Sequence, residues 1–82
     1  MRRTQRSRSR FTLSGPNGDV KLHPDVQRHG EPGAVLSRAL TEATENGQDA
    51  GVWEVREWDD VIYRVHRLED GNKLDVRVEV VR

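Results

Sequence analysis

The segment from Val52 to Arg82, VWEVREWDDVIYRVHRLEDGNKLDVRVEVVR, constrains the fold more than any other part of the chain. Apolar residues recur at every second position through most of it, the period of strands with one buried and one solvated face. Asp70-Gly71 is a hairpin signal, because a type I′ turn needs positive φ at both central positions and aspartate and glycine tolerate it best. A turn there predicts Arg67 opposite Leu74, Val65 opposite Val76, Tyr63 opposite Val78 and Val61 opposite Val80. For the preceding hairpin, a two-residue Asp59-Asp60 loop would set Val55 against Arg64 and mix the faces. A three-residue loop, Trp58 to Asp60, sets Val55 against Tyr63 and Trp53 against Val65, and this is the predicted register.

A second hairpin opens the folded part of the chain. Phe11 and Leu13 alternate with Thr12 and Ser14, and Val20 and Leu22 flank Lys21 beyond the turn residues Gly15 to Gly18. That loop pairs Ser14 with Asp19, Leu13 with Val20 and Phe11 with Leu22, so the apolar residues share one face. His23 to Glu31 has little periodicity and reads as a connecting loop. Pro32 suits a first helical turn, and Val35, Leu36, Ala39, Leu40 and Ala43 form one helical stripe, with Gly47 placed to stop it.

The order strand, strand, helix, strand, strand, strand predicts a two-layer α+β domain, one helix laid across a single five-stranded sheet. The last strand, Lys73 to Val81, is the longest and is expected at the centre, parallel to the first after a helical crossover. The predicted arrangement is a mixed ββαβββ sheet of order 2-1-5-4-3. In topology this resembles the β-grasp fold, which implies an architecture and no activity. The glycine pair that ubiquitin-like modifiers and sulfur carriers use is not matched by the terminal VEVVR.

Eighty-two residues, 33% hydrophobic and 34% charged, allow one small domain with a thin stability margin. The expected division is an Arg-rich disordered leader over 1–10 and a folded domain over 11–82. The net charge of zero conceals an asymmetry. Five of the fourteen basic residues, Arg2, Arg3, Arg6, Arg8 and Arg10, lie in the first ten positions, which leaves nine against fourteen acids, or −5, in the remainder. The absence of cysteine removes disulfides and thiolate chemistry and fits a reducing, cytoplasmic setting. No apolar run approaches the roughly 20 residues of a membrane span, so no membrane partner is expected.

The predicted registers place rows of opposite charge on the sheet face away from the helix: Val52, His66 and Asp75; Glu54, Arg64 and Arg77; Arg56, Ile62 and Glu79. Such a surface is a solvated face with cross-strand ion pairs. One corner departs from it, where Trp58, Ile62 and Val81 are expected to gather as an apolar patch suited to a protein interface, flanked by Arg56 and Arg64. Chemistry finds no foothold. His23, Asp25 and His29 lack metal-ligand spacing, His66 beside Asp75 has no nucleophile in register, and the glycines are turn residues without a phosphate-binding pattern.

The expected function is therefore a small non-enzymatic protein-binding module without cofactor or metal, such as a regulator, accessory subunit or inhibitor. It would act through its open sheet face or an edge strand, and a homodimer is among its arrangements. The alternative is a nucleic-acid-associated protein whose arginines at 2, 3, 6, 8 and 10 contact phosphates weakly and without sequence preference. Against that alternative stands the acidic body, which a phosphate backbone would repel.

Overall fold

A computed structural model describes residues 9–46, 50–70 and 73–82. The alternation around Phe11 and Leu13 forms β1 (Phe11–Gly15), which pairs with the short β2 (Gly18–Val20) in the expected register, Leu13 opposite Val20 and Ser14 opposite Asp19. Phe11, Leu13 and Leu22 are all buried, so the hairpin turns its apolar side inward as its pattern requires. The ladder continues to Gly15 opposite Gly18 and leaves Pro16 and Asn17 as the loop. Gly18 has a φ of 115°, a region that glycine enters without steric cost.

Within the expected loop lies a helix, α1 (Pro24–His29). Pro24 occupies its first turn, where a missing N–H forfeits no bond, and His23 Nδ1 accepts from the Asp25 backbone N–H at 3.1 Å. Two prolines and a glycine in ten residues read as loop, yet a proline in a first turn is a start signal as much as a break. The expected amphipathic helix is α2 (Pro32–Thr41), continued by a π-helical turn over Glu42–Asn46. Val35, Ala39 and Ala43, four residues apart, are fully buried, and Leu36 and Leu40 flank them half-buried. Thr44 Oγ1 donates to the carbonyls of Leu40 at 2.9 Å and Thr41 at 3.3 Å, the local competition that loosens a helical ladder. Gly47, the expected stop, lies outside the described residues.

Three strands complete the α+β domain: β3 (Gly51–Glu57), β4 (Asp60–Asp70) and β5 (Lys73–Val80). The sheet order is β2-β1-β3-β4-β5, and every neighbouring pair is antiparallel. This corrects the expected mixed sheet of order 2-1-5-4-3 and its β-grasp-like layout: β1 lies beside β3, and β5 is an edge. Close contacts at two glycines accompany this order. Trp53 and Val55 of β3 are buried in the core beneath α2. The Trp53 indole rests on β1 at Gly15, where an added Cβ would stand 2.6 Å from its Nε1, and Pro16 rests in turn on Gly51. A side chain at either glycine would collide with its neighbour, so both positions suit the β1–β3 pairing. Val76, expected mid-sheet beneath the helix, is half-buried on the edge strand instead.

Two registers also differ from expectation. Between β4 and β5, Val65 stands opposite Val78 and Asp70 opposite Lys73, a shift of two residues that preserves both faces. Of the turn expected at Asp70-Gly71, Asp70 instead ends β4 opposite Lys73, and Gly71 lies outside the described residues. Between β3 and β4, Val55 opposes Tyr63 and Trp53 opposes Val65 as predicted, but the loop is two residues, Trp58 and Asp59. The register slips between Val55 and Arg56, so that Tyr63 and Val61 face consecutive β3 residues and Ile62 is the extra residue of a β-bulge.

Candidate functional site

The open face of the sheet carries a ladder of polar contacts across four strands. Arg56 donates from Nη1 to Ser14 Oγ at 3.1 Å and from Nη2 to Glu54 Oε1 at 2.7 Å. Glu54 Oε2 accepts from Arg64 Nε at 2.9 Å, and Arg64 Nη1 reaches Glu79 Oε2 at 3.5 Å. The other Glu79 oxygen lies 3.0 Å from His66 Nε2. His66 thus meets Glu79, and the expected pairing with Asp75 does not form; Arg77 stands opposite His66 and pairs along its own strand with Asp75 at 2.9 Å. The Arg64 hydrogen bond, joined by Arg56 and opposed by partial burial, holds the Glu54 carboxyl below the usual carboxylate range. The same bond to Glu54 raises Arg64. A ladder satisfied internally in this way offers a partner few unpaired charges.

Of the residues expected to form an apolar corner, Ile62 is withdrawn. The bulge turns it into the core, where it is 9% exposed and packs with Val55 and Val65 among others. Trp58 is 51% exposed and occupies the β3–β4 turn with a φ of 56°. Val81 follows the end of β5, partly exposed, with its N–H bonded to the Ile62 carbonyl at 2.9 Å, and Arg82 beside it pairs with Asp60. Trp58 and Val81 therefore share one end of the sheet. Arg56 and Arg64 lie on the open face within the ladder.

Arg2, Arg3, Arg6 and Arg8 lie outside the described residues. Arg10 is held against the domain: its guanidinium pairs with Glu57 at 2.6 Å and lies 5.2 Å from the Phe11 ring centroid, and its carbonyl accepts from Trp58 N–H at 2.7 Å. Arg10, expected as the last residue of the leader, thus contacts Glu57, Phe11 and Trp58 of the domain.

Other polar groups serve the fold. Arg67, expected on the core face, is 9% exposed and donates from Nη1 to the Ala43 carbonyl in the π turn, where a cation suits the negative end of a helix. His23 Nδ1, which caps α1, also lies 3.8 Å from the Asp25 carboxylate, so both groups serve the start of that helix. Among the described residues no group of three or more His, Asp or Glu is placed to hold a metal. A depression of about 450 Å3 between β1, β2 and α1 is lined by Thr12, Leu13, Asp19, Val20, Lys21 and Gln27. No helix of the described residues is long and apolar enough to cross a membrane.

The feature that sequence analysis misplaced is β5. Opposite Glu69, Arg67, Val65 and Tyr63 stand Leu74, Val76, Val78 and Val80, which puts all four on the helix side of the sheet. Yet α2 packs on β1, β3 and β4, while β5 meets β4 and, slightly, the π turn. Leu74, Val78 and Val80 are consequently exposed, Val80 at 68%. Beside this apolar row runs an edge eight residues long. Alternating charge at Lys73, Asp75, Arg77 and Glu79 also blunts such an edge, although Asp75, Arg77 and Glu79 were expected as cross-strand pairs of a central strand. No family model, curated protein or solved structure matches the chain.

Proposed function

We propose that this chain is a non-enzymatic protein-binding module whose recognition element is the free edge and uncovered apolar side of β5. One observation carries the proposal: Leu74, Val78 and Val80 are exposed in a row on a strand that, among the described residues, is paired along one edge only. A strand of this kind recruits another strand through main-chain hydrogen bonds, and the apolar row supplies side-chain contact. Trp58 and Val81, exposed at one end of the sheet, offer a further apolar contact there. Arg56 and Arg64 act on the other face by keeping the sheet charge-neutral and ordered. A regulator, accessory subunit or inhibitor is the class of protein that such a surface fits, and the lack of cysteine suits a cytoplasmic setting.

The test is site-specific photocrosslinking of the full chain in its host. A benzophenone side chain at position 74 or 80 is expected to give protein adducts, and one at the exposed position 21, beyond β2, to give none. Adducts to nucleic acid alone, or protein adducts from position 21 and not from 74 or 80, would overturn the reading.

A further inference from the structure

The charges along β5 carry the protein-binding reading one step further, to the identity of a partner. We infer that β5 pairs antiparallel with β5 of a second copy of this chain, centred on Val76, to form a ten-stranded sheet across a two-fold axis.

The inference rests on the order of residues in Lys73–Val80, KLDVRVEV. Directly opposite residues in an antiparallel pair share a face. With Val76 opposite the partner's Val76, Lys73 meets the partner's Glu79 and Asp75 meets the partner's Arg77, and symmetry repeats both pairs. Four opposite-charge pairs then cover the open face, while Leu74 meets the partner's Val78 on the other.

Alternative registers lack this match. Sliding by two residues in one direction sets Asp75 against the partner's Asp75 and Lys73 against the partner's Arg77; in the other, Arg77 meets the partner's Arg77 and Asp75 the partner's Glu79. Sliding by one sets charged residues against valines and mixes the faces. Like charges directly opposite are unfavourable, so the sequence of β5 selects one register and rejects its neighbours.

The same pairing aligns the uncovered apolar rows of the two copies and removes the exposed edge from both. Growth stops at two, because the opposite edge of the sheet is β2, only three residues long. An interface that uses the same patch on both copies closes on itself.

Sedimentation of the full chain, run with Asp75→Arg, Arg77→Asp and the double exchange, tests the pairing. The unaltered chain is expected to form a dimer and nothing larger. Each single variant places two pairs of like charges across the interface and should raise the dissociation constant by about ten-fold or more. The double exchange restores opposite charges and should return it toward the original value. Circular dichroism melting of each variant separates lost pairing from lost folding. A chain that stays monomeric at every concentration, or a double exchange no better than the singles, would overturn self-pairing. Because the inference rests on the protein-binding reading, the crosslinking outcome separates the two failures. Adducts of positions 74 and 80 with other proteins from a monomeric chain would sink self-pairing and keep that reading; adducts from neither position would sink both.

Discussion

Trp58 occupies the first position of a two-residue turn with a φ of 56°. Positive φ there costs a residue with a Cβ about 1–2 kcal/mol relative to glycine. Trp58→Gly is accordingly expected to be more stable than Trp58→Ala by about 1 kcal/mol. Both substitutions delete the indole, so their difference in thermal melting isolates the backbone; equal melting, or the reverse order, would contradict the turn. This conformation was hidden in the sequence, because tryptophan is not a turn signal and the adjacent Asp59-Asp60 is. Ile62 was hidden for a related reason. Strict alternation assigns it to the open face, and only the bulge beside it brings it into the core. The burial of Phe11, Leu13, Trp53, Val55 and Val65, by contrast, followed directly from alternation and register.

At the scale of the elements, the ladder on the open face makes the sheet sensitive to acid. Bonding to Arg64 and Arg56 lowers the pKa of Glu54 in the folded chain, so the unfolded chain takes up that proton first as the pH falls. The stability it contributes is complete above the unperturbed glutamate value of about 4.3, and is lost as the pH drops through the lower folded value. Glu54→Gln should cost about 0.5–1 kcal/mol at neutral pH. Its melting temperature should also fall less steeply than that of the unaltered chain on acidification from about pH 5 to 3. Parallel acid profiles for the two proteins would show that Glu54 does not couple the strands. The strands that form the ladder were legible, as were α2 and the first hairpin. The missed helix, α1, has no fully buried residue and thus left no apolar stripe to find.

For the whole molecule, the layers were legible and the strand order was not. Alternation tells which side of a strand is buried, but it does not tell which strand lies beside which. Here β1 and β3 meet through contacts such as Trp53 over Gly15 and Pro16 over Gly51, between residues far apart in the chain. Once β1 takes β3 as its neighbour, β5 is left at the edge with an apolar row the helix does not reach. The proposed self-pairing gives the charges of that edge a complementary strand to face. Amide hydrogen exchange across Lys73–Val80, followed from dilute to concentrated protein, tests this most directly. In an antiparallel edge strand alternate N–H groups point toward the neighbouring strand and the rest point outward. The predicted result is alternating protection along β5 in dilute solution, with the outward amides becoming protected as concentration rises while β1 and β3 stay unchanged. Uniform protection of β5 in dilute solution, or alternation that persists at the highest concentration, would contradict it.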